Sequence, residues 1–226
     1  MDIPDALTSA GAGMRAQADR LDVVAQNLAN ASTIGYRSQR WIGRGFGDRL
    51  QSAVATANVQ GTLRRTDVAT DMALSGNGFF SVMTPDGIRY TRDGRMSVNA
   101  DGHVCDVRGN PVLGIRGPAS YPRGAKVELN GRIVAGGRLV DRLRIVALNG
   151  PFVSDGAYLR PSSDTRIEQS RATVRCGYLE DSGVDPIAEM TALIGAQRAF
   201  EANQKALQRA DEALQRAVSE VPAVRP

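Results

Sequence analysis

The sequence predicts an α+β protein in which long N- and C-terminal helices pair as a coiled-coil wall, with an antiparallel β-domain inserted between them. Two observations carry this: apolar residues recur every seven positions at both ends of the 226-residue chain, and Asp-Gly and Asn-Gly turn pairs punctuate the middle. The composition fits, with 42% apolar and 23% charged residues, enough chain to bury a core. No apolar run approaches the roughly 18 to 20 residues of a membrane span, so no membrane insertion is expected.

At the N-terminal end, Leu7, Met14, Leu21 and Leu28 recur at a strict spacing of seven, with Ala10, Gln17 and Val24 at the intervening i+3 positions. Such a heptad keeps an apolar seam along one side of a helix. Pro4 suits the first turn, where its missing N–H is no loss, and Gly35 is a stop signal needing positive φ. The predicted helix, residues 4 to about 31, is a rod of about 42 Å. The C-terminal end repeats the pattern more strongly. Asp185-Pro186 reads as an N-cap followed by proline at the first helical position, and Leu193, Phe200, Leu207, Leu214 and Val221 follow every seven residues. Alanines leave small surfaces for close helix approach, and Pro222 ends the helix after about 52 Å.

Between the helices, residues 36–70 are polar, small and glycine-punctuated, and read as an extended arm with weak strands. Residues 71–185 read as the β-domain. Turn pairs at Asp86-Gly87, Asp93-Gly94, Asp101-Gly102, Asn130-Gly131, Asn149-Gly150 and Asp155-Gly156 separate short apolar strands such as Phe79–Met83, Ile88–Thr91, Met96–Val98, Val104–Val107 and Leu143–Leu148. The domain division predicted is therefore a discontinuous helical domain of residues 1–35 and 186–226, an arm at 36–70, and a β-domain at 71–185. Two helices alone cannot cover seams this long, so the ends are expected to bury themselves against copies of the chain or close relatives. A head-to-tail contact of that kind generates a filament.

Several chemistries are excluded. Cys105 and Cys176 form no Cys-x-x-Cys pair, a single bridge between them is unlike a disulfide scaffold, and His103 is the only histidine, read as a solvated strand residue. No metal or cofactor site is predicted. Leu74-Ser75-Gly76-Asn77-Gly78 departs from a nucleophile elbow because Ala73 fills the first glycine position, and Gly43, Gly45 and Gly47 lack dinucleotide-loop spacing. Of 28 basic residues only Lys126 and Lys205 are lysines, which raises an Arg-rich nucleic-acid binder as an alternative. Arginines and acids are interspersed, however, and no segment carries the clustered basic face such binding requires, so no nucleic-acid partner is expected.

Three motifs in order resemble the bacterial flagellar rod and hook protein family. The first is Asn27-Leu28-Ala29-Asn30-Ala31-Ser32-Thr33-Ile34-Gly35-Tyr36-Arg37. The second is Gly76-Asn77-Gly78-Phe79-Phe80 followed by Tyr90-Thr91-Arg92-Asp93-Gly94. The third is Gly177-Tyr178-Leu179-Glu180-Asp181-Ser182-Gly183-Val184-Asp185, where Gly183 stands in place of the family's usual Asn. The resemblance implies a structural, non-enzymatic subunit whose terminal helices form the wall of a tube around an export channel. Its implied partners are other copies, neighbouring rod proteins, the flagellar type III export apparatus and rod-surrounding rings. Location in the basal body without a cleaved Sec signal agrees with the acidic Met1-Asp2-Ile3-Pro4-Asp5 start. A chain with one β-domain looks like a rod subunit rather than a hook protein, and residues 111–125 resemble the proximal rod type more than the distal. A flagellum-derived adhesin or secreted coiled-coil protein of the same ancestry remains an alternative. On the same resemblance, Asn27 and Asn30 are expected to satisfy backbone at the helix-to-arm corner, and Tyr36 and Trp41 to anchor the arm.

Overall fold

The computed structural model describes residues 3–46, 49–155 and 158–219. Helix α1 (Ile3–Ala29) is followed by strands β1 (Gln39–Phe46), β2 (Arg49–Thr56) and β3 (Leu63–Arg65). Then come β4 (Met72–Ser75), β5 (Phe79–Thr84), β6 (Gly87–Thr91), β7 (Ser97–Val98), β8 (Val104–Cys105) and β9 (Lys126–Val127). The chain continues through β10 (Arg132–Ala135), β11 (Arg138–Arg142), β12 (Ile145–Asn149), β13 (Phe152–Asp155) and β14 (Tyr158–Pro161). It closes with β15 (Arg166–Gln169), β16 (Thr173–Cys176), β17 (Tyr178–Glu180) and helix α2 (Pro186–Ser219). The chain divides into two compact units, one of residues 1–28, 39–54 and 186–226, the other of residues 29–38 and 55–185. Residues 36–70, read from the sequence as an arm, contribute to both.

In the first unit, Pro186 opens α2 with Glu189 in the first turn, where a carboxylate complements the helix dipole. On α1 the fully buried side chains are Ala16, Val23, Val24 and Asn27, whereas Met14, Leu21 and Leu28 of the heptad seam are only half-buried. At 100° per residue the Met14–Leu21–Leu28 row lies about 140° around the helix from Ala16, Val23 and Asn27, with the buried heptad residue Val24 between them. On α2 the seam instead adjoins the buried position: Ala196 is buried, Leu193, Phe200 and Leu207, about 40° around from it, are half-buried, and Ile187, Met190 and Ile194 on another face are exposed, Ile187 to 77%. The side chains of Leu7 and Leu214 lie outside the described set. β1 and β2 pair as a two-stranded ribbon, in which the Trp41 indole lies against the Gly43 backbone.

The second unit is built on a six-stranded antiparallel sheet in the order β13-β14-β6-β5-β12-β15. Strand alternation sends Phe80, Val82, Ile145 and Tyr158 to one core and Phe79, Val146, Leu148 and Leu159 to a second on the other face. Because both faces are covered, β5 and β12 read as apolar runs rather than as alternating patterns. A three-stranded sheet, β11-β10-β9, and the pairs β16-β4, β17-β3 and β7-β8 close around the first core. The turn pairs mostly turn as expected: Gly87, Gly102, Gly131 and Gly150 all adopt positive φ. Asp155-Gly156 extends beyond the described residues. Asp93-Gly94 is not a hairpin turn. Gly94 is buried at a corner where Met72 N donates to its carbonyl at 2.9 Å, and a β-carbon there would sit 1.7 Å from Met72 O.

Both cysteines are free thiols, Cys105 buried and Cys176 half-buried, and burial pushes both thiol pKa values up. His103, expected in solvent, is half-buried in a bridge to Ser120. Beneath the sheet, Asp106 organises a turn by accepting from Arg108 N and Asn110 N at 2.9 and 2.8 Å. The Tyr158 hydroxyl donates to Asp106 Oδ2 and accepts from Asn110 Nδ2 at 2.7 Å. Burial, then the hydrogen bond to Asp106, pushes the Tyr158 phenol up to about 12.

Two outcomes follow from this packing. Gly94→Ala should cost about 3 kcal/mol of stability, because backbone rather than a flexible side chain blocks the new methyl. Gly102→Ala, with φ +78° in open space, should cost only about 1 kcal/mol, as read from urea denaturation midpoints. The Tyr158 phenol keeps its proton longer in the folded than in the unfolded chain, so the folded state binds more protons between about pH 10 and 12. Stability should therefore fall as pH rises through that window. Tyr158→Phe should flatten this loss in denaturation midpoints taken at each pH.

Candidate functional site

The three family-like motifs, distant in sequence, meet in the second unit around one carboxylate. Strand pairing of Glu180 with Leu63 places the Glu180 side chain inside, where it is 1% exposed. Its Oε1 receives Arg37 Nη1 at 2.7 Å and Gly61 N at 3.0 Å, while its Oε2 receives Arg92 Nη1 at 2.9 Å. Arg37 Nη1 also donates to Val59 O, and Arg92 donates to Leu74 O at 3.0 Å and to Gly76 O. Each guanidinium therefore ties a different stretch of backbone to the same anion.

Two buried cations face a single buried anion, and the surplus charge needs a partner. The Phe79 ring supplies it: the guanidinium carbons of Arg92 and Arg37 lie over that ring at 5.1 and 6.0 Å from its centroid. A ring face carries negative π density, which suits guanidinium edges such as Arg37 Nε and Arg92 Nε that find no acceptor among the described residues. Phe79 is itself held edge-on by Phe152, centroids 5.8 Å apart. The remaining imbalance registers in Arg92, whose pKa falls to about 10 through burial first and the Arg37 charge second, with Glu180 opposing. Burial likewise lowers Arg37, against the pull of Glu180.

Glycines let the motifs approach this closely. Gly35, with φ +67°, donates its N–H to Glu180 O at 2.7 Å. A β-carbon at Gly35 would lie 2.5 Å from the Arg92 carbonyl carbon, so the first motif touches both of the others through backbone alone. Gly78 is packed against Ile145, Ser170 and Ala172. Gly183, where the family usually has Asn, donates to Tyr36 O at 3.0 Å, and a β-carbon there would stand 2.9 Å from Val59 O. That carbonyl is the one that Arg37 grips, so a larger residue would press on the network.

The other motif residues distribute as follows. Asn30 Oδ1 accepts from Thr33 Oγ1 at 3.1 Å in the turn beyond α1, Tyr36 is buried, and Leu179 is buried in β17. Thr91 Oγ1 accepts from Asp93 N at 3.0 Å, orienting Asp93 to bind Arg95 through both carboxylate oxygens, at 3.0 and 2.6 Å. Ser182 Oγ accepts from Val184 N at 3.3 Å. Asn27 belongs to the first unit instead. Its amide exchanges two 2.8 Å hydrogen bonds with the Gln39 backbone and donates to Glu189 Oε1 of α2 at 2.9 Å. One buried side chain thereby joins α1, the start of β1 and the first turn of α2.

Sequence reading did not single out Arg37, Gly61 or Gln60. Gln60 brackets the β4–β5 corner, donating to Leu74 O at 2.9 Å and accepting from Gly76 N at 3.0 Å. The available signal was Glu180 itself, an acid continuing the apolar Tyr178-Leu179 strand, which once buried demands a buried cation from elsewhere in the chain. The arrangement offers no nucleophile or general base: its carboxylate is enclosed and held by two buried guanidinium groups and a backbone amide. It is a structural joint.

Three family models match the chain. The flagella basal body rod protein model matches residues 7–37, the flagellar hook protein FlgE/F/G D1 domain 73–136, and the flagellar basal body rod FlgEFG protein C-terminal model 176–220. Each contributes one member of the Arg37–Arg92–Glu180 cluster. Among similar relatives, the flagellar basal-body rod protein FlgF of Mesorhizobium japonicum is 31% identical over 91% of this chain and 92% of its own length. The rod protein FlgG of Agrobacterium fabrum is 30% identical over 92% and 95%, and FlgF of Escherichia coli 31% over 84% and 87%.

The cluster makes a sharp contrast between adjacent carboxylates. Glu180→Gln removes the only anion between two buried guanidinium groups and should cost about 3 to 5 kcal/mol. Asp181→Asn breaks an exposed pair with Arg64 and should cost less than about 1 kcal/mol. Equilibrium urea unfolding of the two variants reads the difference.

Proposed function

Because the chain belongs to the flagellar basal-body rod protein family, we propose that it is a structural subunit of the rod that polymerises through its terminal helices into the tubular drive shaft. The observation that carries this reading is the chain-long match to rod proteins, whose three matched segments are the ones that meet at Glu180. Physical support comes from the helices. The heptad seams Leu7–Met14–Leu21–Leu28 and Leu193–Phe200–Leu207–Leu214 are the proposed subunit contacts. The described members of these seams are half-buried, and α2 exposes a further apolar stripe of Ile187, Met190 and Ile194. Apolar faces left open along a helix are stabilised by other helices, here those of neighbouring subunits.

In this reading, residues 1–35 and 186–226 supply the coiled-coil wall around the export channel, 36–70 act as an arm, and 71–185 form the outer β-domain. Partners are further copies, neighbouring rod proteins, the type III export apparatus and the rings around the rod. A proximal position is favoured by the character of residues 111–125, while relatives named FlgF and FlgG match at comparable identity.

The test is direct. Ile187→Glu/Ile194→Glu should leave the monomer folded, with unchanged thermal unfolding, because both side chains are exposed. It should abolish assembly of the purified chain into tubular polymers, as seen by electron microscopy, and swimming in cells that carry it as their sole copy. Normal swimming with normal polymerisation would reject assembly through this helix.

A further inference from the structure

One surface of the second unit is left unexplained by the joint and by the helices. Two adjoining grooves of about 220 and 360 Å³ run beside Leu143, Ile145 and Gln169, which line both. Most of their lining comes from residues 142–146 and 167–173, within the stretch between 136 and 176 that none of the matching family models covers. The apolar component is open to solvent: Ile115 is 64% and Ile167 43% exposed at the larger groove. The rim is cationic. Arg142, Arg144 and Arg171 line the grooves and form no ion pair among the described residues. The one acid, Glu168, accepts from Asn149 Nδ2 at 3.1 Å. Such a groove suits an acidic and apolar protein segment.

The chain carries that segment on a different part of the same unit. The β5–β6 hairpin turns at Asp86-Gly87, leaving Met83, Pro85 and Asp86 exposed together at its tip. Asp86 has no ion pair among the described residues, unlike Asp67, Asp181 and Glu128, which are engaged by Arg65, Arg64 and Arg132. Methionine is unbranched and polarizable, so it fills an irregular apolar groove at low strain.

We propose that the Arg-rimmed groove receives the Met83–Asp86 hairpin tip of a second copy of this chain, with Met83 on the Ile115–Ile167 apolar floor and Asp86 against Arg144. Tip and groove are different surfaces, so the contact is heterologous and repeats head to tail. It is a second self-association contact, independent of the terminal helices, in which a tip inside the segment matched at 73–136 meets a groove lined mostly by residues between the matched segments.

The experiment uses the full chain carrying Ile187→Glu/Ile194→Glu, so that helix-mediated assembly does not mask the contact. In sedimentation velocity this chain should still self-associate. Adding Asp86→Arg or Arg144→Glu should each weaken that association by about tenfold or more, at unchanged thermal unfolding. A mixture of the two should recover it, because every tip then meets a groove of opposite charge. The inference is overturned if the parent chain is monomeric, if either single change is silent, if the mixture does not recover, or if Asp101→Arg at the neighbouring Val98 turn acts in place of Asp86→Arg. None of these outcomes bears on helix-mediated assembly, which the swimming and polymerisation assay reads separately.

Discussion

The second unit depends on a single buried carboxylate. Glu180 accepts from Arg37, Arg92 and the Gly61 amide, and through those donors it holds the turn after α1, the exit of β6 and the incoming arm. Burying three charges costs several kcal/mol per ion, and the cluster is tolerated because both carboxylate oxygens and the nitrogens Arg37 Nη1, Arg92 Nη1 and Arg92 Nη2 are hydrogen-bonded. The Phe79 face meets the surplus cation. Such a centre is a poor source of net stability compared with apolar packing. Its value lies in specificity: a guanidinium accepts few alternatives to a buried carboxylate, whereas an apolar contact accepts many.

That specificity matters because the chain is discontinuous. Both compact units are assembled from segments far apart in sequence, and each contains a polar joint among those segments. In the first, the Asn27 amide completes the backbone of Gln39 and reaches Glu189; in the second, Arg37 and Arg92 converge on Glu180. Three of the four points where the chain passes from one unit to the other, at 28/29, 38/39 and 185/186, lie within about five residues of a member of these joints. Such crossings gain from contacts that resist register slip, which directional hydrogen bonds do and apolar seams do not.

The helices express a different constraint. The half-buried Met14–Leu21–Leu28 row of α1, about 140° around from Ala16, Val23 and Asn27, together with the exposed Ile187–Met190–Ile194 stripe on α2, means these helices carry more apolar surface than one chain covers. In a monomer this would be a liability. In a polymer it is the driving force, since burial in neighbours removes the same surface from water.

Much of this was legible in one dimension. Period-seven repeats, turn pairs and terminal prolines act locally, so the two helices, the β5–β6 hairpin and the Gly87 and Gly102 turns followed directly from sequence. Three motifs sufficed to identify the family. Tertiary structure decided what local pattern cannot encode. Asp93-Gly94 has the chemistry of a hairpin turn but is a buried corner, because Met72 arrives against it from another strand. The β1–β2 ribbon hid in a polar, glycine-rich stretch with weak strand propensity. Above all, the partners of Glu180 sit 143 and 88 residues away. Spacing fixes periodic faces because they depend on neighbours a turn apart, but a buried charge chooses its partner only once the chain has closed around it.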